Sequence, residues 1–303
     1  MQSQHPWELF QFCGYRAAVH VRNRPNVGRA NSGGPDPVSS GGSRDPDNRS
    51  GRDSGSMHKG GRPGPAGRDT AALLDEQMAY YRARSPEYDQ WWLRAGKYDR
   101  GPRFLRSWDE ETDQVRAALD EFSLRGRILE IACGTGWWTP QLAAGAEQVT
   151  VIDASSEMLA RCRARMAAAG GDAAKLEYLQ SDIWEWLPER RFEAVFFGFW
   201  LSHVPEVRFD SFWELVDGAL LPGGRVFFVD SAESPGSSRS GARAGAPETE
   251  RREHNGGRRC DVGKRDFEPG WLRQRLAGIG WDIQVQRTAR FFIFAQGGRI
   301  ADS

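Results

Sequence analysis

Three carboxylates and one glycine turn are the residues of this sequence best suited to chemistry. Glu130-Ile131-Ala132-Cys133-Gly134-Thr135-Gly136 ends a short apolar run with two glycines. Such a turn lets the backbone come close to a ligand, and a helix following it offers unpaired N–H groups. A dinucleotide loop of the form Gly-x-Gly-x-x-Gly counted from Gly134 would need glycine at position 139, where Thr139 stands. Glu130 would also set a negative charge against a pyrophosphate, whereas a carboxylate suits a cation or hydroxyls. Asp153, 17 residues after Gly136, can accept both hydroxyls of a ribose. Asp182-Ile183 offers a carboxylate and the next backbone N–H to an adenine's amino group and ring nitrogen. Together these groups describe a pocket for an adenosine that carries a positive charge and no phosphate.

The elements that must position them follow from apolar periodicity. Leu74, Met78 and Tyr81 lie at i, i+4 and i+7 on one helix face. A loop rich in aromatics and Arg is expected over 85–106. Ser107-x-x-Glu110 then has the form of a capping box, with Val115, Leu119 and Phe122 on the helix it would start. From there the chain alternates strands (127–131, 148–152, 176–180, 192–200, 225–230) with helices (139–146, 155–169, 209–220). A last helix over 268–279 and strands over 281–285 and 289–294 follow. Strands and helices alternating at this spacing predict a parallel sheet covered on both faces. Ligands of such sheets sit at the carboxyl ends of the strands, beside the switch in strand order.

Composition narrows the class further. The 303 residues balance 41 Lys and Arg against 41 Asp and Glu. That balance hides a segregation, since residues 1–68 hold 10 basic and 5 acidic side chains and leave 31 against 36 for the rest. A body of net charge −5 is a poor match for a phosphate backbone, so nucleic acid is not expected as a partner. No apolar run reaches the roughly 20 residues of a membrane helix, so no membrane span is expected. The four cysteines (Cys13, Cys133, Cys162, Cys260) form no Cys-x-x-Cys pair, which argues for neither a disulfide scaffold nor a zinc site and suits a cytoplasmic location. Over 25–68, 24 of 44 residues are Gly, Pro or Ser, too little apolar surface to offset the entropy of ordering them. We therefore expect a disordered extension at 1–68, with Met57 as a candidate start. A flexible insertion is expected at 231–257, where no large apolar side chain occurs between Val229 and Val262.

The run 130–136, Asp153, Asp182-Ile183 and Leu221-Pro222-Gly223-Gly224 resemble the class I S-adenosylmethionine-dependent methyltransferases, over roughly residues 70–298. Ala132 stands where that family has its first loop glycine. The resemblance implies an α/β, Rossmann-like, doubly wound sheet of seven strands, mostly parallel and closed by an antiparallel C-terminal hairpin. It divides the chain into the 1–68 extension, a helical lid at 69–125 and the cofactor-binding domain at 126–303. Glu130 and Ile131, with the backbone of Ala132, Cys133, Gly134 and Gly136, would hold the methionine portion of S-adenosylmethionine. Asp153 would bind the ribose, Ala154 and Met158 would lie against the adenine, and Asp182 and Ile183 would read its edge. Gly198 and Phe199 would face the methyl donor and the acceptor. Tyr81, Arg82 and Tyr88 resemble an aromatic lid over the cofactor; the other reading packs these aromatics on the sheet edge.

The resemblance implies methyl transfer, with an O-, C- or N-acceptor all open. His203, in Trp200-Leu201-Ser202-His203-Val204, is the only histidine outside the segments expected to be flexible. It is the candidate proton-transfer residue; capping a turn or lining the pocket stands beside that reading. The family's Asn-Pro-Pro-Tyr run, catalytic cysteine and paired-glutamate hairpin are missing, which leaves a small-molecule acceptor. Trp91, Trp92, Trp137, Trp138, Trp184, Trp186 and Trp200 favour an apolar or aromatic one. A cofactor-binding module without turnover is the alternative, and a nicotinamide oxidoreductase a more distant one.

Overall fold

A computed structural model describes residues 76, 78, 79, 87–232, 248–253 and 259–300. The 1–68 extension, Leu74, Tyr81, Arg82 and most of the 231–257 insertion lie outside these residues. Nine strands and six α-helices are present among those described. The strands are β1 (Arg127–Ile131), β2 (Gln148–Asp153), β3 (Leu176–Gln180), β4 (Phe192–Gly198), β5 (Leu220–Ser231), β6 (Glu248–Glu253), β7 (Arg259–Lys264), β8 (Trp281–Arg287) and β9 (Phe292–Arg299). The helices are α1 (Tyr88–Trp92), α2 (Pro102–Phe122), α3 (Thr139–Gly145), α4 (Ser156–Ala168), α5 (Phe209–Ala219) and α6 (Pro269–Ala277).

Seven strands make one sheet in the order β3-β2-β1-β4-β5-β9-β8. Its first five strands run parallel, and β9 joins antiparallel to β5 and β8. The expected seven-stranded sheet with an antiparallel C-terminal hairpin is therefore the observed one. The order reverses at β1, which has β2 on one side and β4 on the other, and a crevice for ligands opens there.

Side chains on a strand point alternately to the two faces, and the central strands bury both sets. Ala194, Phe196, Phe227 and Val229 belong to the cluster that includes Trp92, Trp108, Leu119, Leu142 and Leu159. Val195, Phe197, Val226 and Phe228 belong to the opposite one, with Phe212, Trp213, Leu272 and Trp281. Phe196 stacks on its register partner Phe227 and Phe197 on Phe228, with rings 12° and 7° from parallel. Burying a phenylalanine of this kind contributes about 1.5–3 kcal/mol. These four rings fasten β4 to β5 on both faces and fix where the carboxyl end of β4 lies.

Helix boundaries follow local chemistry. Ser155 caps α4 by accepting from the Met158 N–H at 3.2 Å, and Glu268 caps α6 by accepting from Gly270 and Trp271. The capping box expected at Ser107 is not one. Proline is pre-shaped for a helix's first position, so α2 starts at Pro102, and the Ser107 hydroxyl donates to the Arg103 carbonyl at 3.3 Å from inside the helix. The expected loop 85–106 also contains α1. β5 starts earlier than expected: Leu220 pairs with Phe192 before the register shifts around Pro222-Gly223-Gly224 and resumes at Arg225. β9 begins at Phe292 rather than at 289, because the Thr288 hydroxyl and backbone close the turn against Phe292. β6, inside the expected insertion, pairs with β7, just beyond its expected end at 257, in a separate antiparallel ribbon.

Candidate functional site

The cavity at the switch point is lined on one side by Ala132, Gly134, Asp153, Ala154, Met158, Asp182 and Ile183, from the ends of β1 and β2, the first turn of α4 and the segment after β3. Gly198, Phe199, Trp200 and His203, after β4, line the other side, with Met78 and Tyr88 also on the wall. Eleven of the site residues read from the sequence thus meet around one space. Glu130, Ile131, Cys133 and Gly136 do not line it: the first two are buried in β1, and the other two belong to the glycine turn itself. Tyr81 and Arg82 fall outside the described residues.

The turn after β1 is shaped by three positive φ angles: Ala132 at 52°, Gly134 at 56° and Gly136 at 76°. The two glycines serve different ends. A Cβ on Gly136 would meet the Cys162 sulfur at 2.5 Å, so glycine here lets the turn pack on α4. Among the described residues, a Cβ on Gly134 would find only the Tyr88 ring, at 3.8 Å, and would otherwise project into the cavity. Ala132 takes a conformation disfavoured by about 1–2 kcal/mol for a residue with a Cβ. Phe199, at the end of β4, does the same with φ 57°. Strained backbone therefore borders the cavity on both sides.

The three carboxylates occupy different environments. Glu130 is 1% exposed and accepts from the Thr139 hydroxyl at 2.7 Å, tying β1 to the start of α3. Burial holds its carboxyl well above the usual range. Asp153 accepts from the Gly134 N–H and the Ser155 N–H, both at 2.9 Å. Burial pushes its pKa up to about 6 against the pull of those two bonds. Each carboxylate oxygen has two acceptor sites, so both oxygens of Asp153 can take a further donor from a ligand. Asp182 accepts from the Trp184 N–H at 3.0 Å, which shapes the segment after β3 and sets Ile183 on the wall.

On the side built after β4, the His203 backbone N–H donates to the Trp200 carbonyl at 2.8 Å, closing a turn that sets the imidazole on the cavity wall. The turn is pinned from below by Asp230, at the end of β5, which accepts from the Ser202 N–H at 2.8 Å. Burial raises the Asp230 carboxyl, and the charge of Lys264 opposes that rise. Trp184 and Trp200 lie with ring centroids 6.3 Å apart, and Arg208 covers Trp184 at 4.9 Å.

Sequence reasoning missed Ile152, Ser155 and Ser181 as wall residues, named Trp184 only among the tryptophans that favour an apolar or aromatic acceptor, and placed Met78 only on a helix face. Ile152, Ser155, Ser181 and Trp184 each adjoin a residue that was found, and Met78 stands three residues before Tyr81 within the expected lid. A signal existed in that adjacency but not in residue type. Among the described residues, no group of three or more His, Cys, Asp or Glu is placed to hold a metal ion. None of the described helices is long and apolar enough to cross a membrane.

A doubly wound sheet with a glycine turn, an acid at the tip of the neighbouring strand and a second acid beyond β3 defines a nucleoside-binding enzyme fold. Residues 128–224 match the family described as "Methyltransferase domain". A solved structure of DhpI in complex with SAH is 33% identical, with TM-score 0.62, over 77% of this chain and 100% of that one. A DhpI complex with SAM and HEP has the same identity and TM-score over 76% and 99%. Demethylmenaquinone methyltransferase of Clavibacter sepedonicus is 33% identical over 141 residues, 46% of this chain and 55% of that protein. The chain spans about half the length of both this protein and another curated relative it matches, phosphatidylethanolamine N-methyltransferase of Cereibacter sphaeroides (38% identical over 97 residues, 32% of this chain and 47% of that protein). The chain belongs to the class I S-adenosylmethionine-dependent methyltransferases.

Proposed function

We propose that this protein transfers the methyl group of S-adenosylmethionine to a small-molecule acceptor. The observation that carries the reading is one cavity with two unlike walls. One wall has Gly134, Asp153 and Asp182, the other Phe199, Trp200 and His203. The donor set fits the cofactor. Asp153 would accept from the ribose hydroxyls, Asp182 with the N–H of Ile183 would face the adenine edge, and the open space at Gly134 would receive the methionine portion. Ala154 and Met158 would pack on the adenine. S-adenosylmethionine supplies a methyl group on a positively charged sulfur, so the protein's own tasks are alignment, exclusion of water and proton removal.

Gly198 and Phe199 stand between the two walls, where donor and acceptor would meet. His203 would take the proton of an acceptor hydroxyl, amine or activated carbon, and Trp184 and Trp200 would bound an apolar or aromatic acceptor. Likeness to DhpI, crystallised with SAM and HEP, supports a site of this kind. The acidic balance of residues 69–303 argues against a nucleic acid substrate. Two buried free thiols, Cys133 and Cys162, suit a reducing, cytoplasmic setting. Residues 69–125 would act as the lid.

Calorimetry with S-adenosylhomocysteine and with NAD tests the cofactor. Binding of the first and not the second is expected. Asp153→Ala should weaken S-adenosylhomocysteine by roughly 10- to 150-fold, the loss of a charge-assisted bond of about 1.5–3 kcal/mol. Unchanged affinity would remove Asp153 from the ribose site. Labelled methyl transfer into a metabolite extract then finds the acceptor; tight binding with no labelled product would make the protein a cofactor-binding module instead.

A further inference from the structure

α1 has five residues and no side-chain cap at Glu87, far short of what holds a helix together alone in water. Tertiary contacts must hold it, and the carboxylate of Asp89 makes several of them. Asp89 accepts through Oδ1 from the Thr135 hydroxyl at 2.7 Å and from the Trp137 indole N–H at 3.0 Å. Its Oδ2 pairs with the Arg165 guanidinium at 2.9 Å, the two side chains being only 16% and 10% exposed. Arg165 closes the circuit, for its Nε donates to the Thr135 carbonyl at 2.8 Å and its guanidinium lies 3.7 Å over the Trp137 ring. Trp92, one helical turn from Asp89, stacks on Trp137 with centroids 5.2 Å apart.

Asp89 thus joins the lid helix, the glycine turn and α4 at one point. Its neighbour Tyr88 is on the cavity wall, with the ring edge 3.8 Å from the position of a Cβ on Gly134. Gly134 itself is held from the other side by Asp153. The turn that would cradle the methionine portion is therefore clamped between two carboxylates, one at the ribose position and one on the lid.

We infer that Asp89 is a positioning residue for the cofactor: by latching α1 to Thr135, Trp137 and Arg165, it holds Tyr88 over the cavity and sets the glycine turn in its binding shape. The inference rests on the cofactor reading above. It makes lid closure and ordering of the turn one event, so cofactor affinity should depend on a side chain that does not line the cavity.

The test is calorimetry with S-adenosylhomocysteine on the full chain, with Trp fluorescence read in the absence of ligand. Asp89→Ala should weaken S-adenosylhomocysteine by about 10-fold or more, given that charge-assisted bonds are the ones lost. Asp89→Asn keeps an acceptor for Thr135 and Trp137 but loses the charge facing Arg165, so it should fall between wild type and Asp89→Ala. It also carries the test if the alanine variant fails to fold. Both variants should shift the ligand-free Trp emission, since the Trp137 N–H loses or changes its partner.

A double-mutant cycle separates positioning from general destabilisation. If Asp89 acts through Tyr88, then Asp89→Ala should add little to the loss already caused by Tyr88→Ala. Additive losses, or affinity within twofold of wild type in Asp89→Ala, would overturn the inference. Wild-type protein that takes up no S-adenosylhomocysteine, while its ligand-free emission still responds to Asp89→Ala, would instead overturn the cofactor reading on which the latch's purpose depends.

Discussion

In the half of the crevice built after β1 and β2, carboxylates hold the backbone through directed bonds; in the half built after β4, aromatic rings do most of the holding. Glu130 reaches Thr139, Asp153 reaches Gly134 and Ser155, and Ser155 caps α4. Across the cavity, Phe197 meets Phe212, Trp213 and Phe228, and Trp200 meets Trp184 and Phe212. Asp230, which accepts from the Ser202 N–H, adds a polar anchor on that side. Directed bonds specify distances and angles, so they suit a ligand of fixed shape such as a nucleoside. Ring packing specifies volume and tolerates changes of shape, so it suits the side of the pocket that must match a particular acceptor. The difference predicts that damage to the first half will appear in cofactor affinity, and damage to the second in turnover.

The largest effect expected from breaking this division is at His203. If it removes the acceptor's proton, His203→Gln should lower kcat by about 10²- to 10⁴-fold while S-adenosylhomocysteine affinity stays near wild type. A steady-state assay paired with calorimetry reads both; equal losses in the two would put His203 in the cofactor half instead.

Next in size is the pair of glycines within the first half. Gly136→Ala combines a left-handed backbone with a 2.5 Å clash on the Cys162 sulfur, and should cost about 2–5 kcal/mol of stability in urea unfolding. Gly134→Ala has the backbone penalty alone, about 1–2 kcal/mol, and should lose cofactor affinity because its new methyl projects into the cavity. Equal stability losses would mean that the turn is not packed on α4 as described.

The smallest expected effect is a pH profile. If Asp153 holds the ribose, the hydroxyls would donate to its ionised form, and burial pushes its pKa up to about 6. S-adenosylhomocysteine affinity should therefore rise with pH up to about 7 and then level, falling up to roughly tenfold for each unit below 6. For folding the sign is opposite. The native state holds this proton more tightly than the unfolded chain does, so its stabilising contribution is full below the unfolded value near 3.9 and is lost as pH rises through about 6. Asp153→Asn should remove both inflections, and an affinity profile that stays flat in wild type would exclude the ribose role.

Strands β1 and β3 were legible to the residue, because each is a short run following a helix break, Gly126 before β1 and Gly170-Gly171 upstream of β3. α1 was not, since five aromatic-rich residues carry no periodicity of their own and are held by Trp137 and Arg165 from elsewhere in the chain. The ribbon β6–β7 was hidden for another reason. Glu248–Glu253 reads Glu-Thr-Glu-Arg-Arg-Glu, with none of the apolar alternation that marks a strand in a core. Glu130 was assigned to the ligand from its place at a strand end, a position that does not say which way a side chain faces.

The order of local signals, glycine turn, acid at the next strand tip, acid beyond the third, was enough to determine the sheet, the family and most of the residues that meet in the crevice. Those properties rest on periodicity and short-range spacing, which a linear sequence carries. Only the tertiary structure decided that Glu130 is buried in β1 rather than on the cavity wall, and that Asp89 bonds Thr135 and Trp137, 46 and 48 residues away. Contacts between distant segments depend on how helices and sheet pack in three dimensions, and no spacing along the chain encodes them.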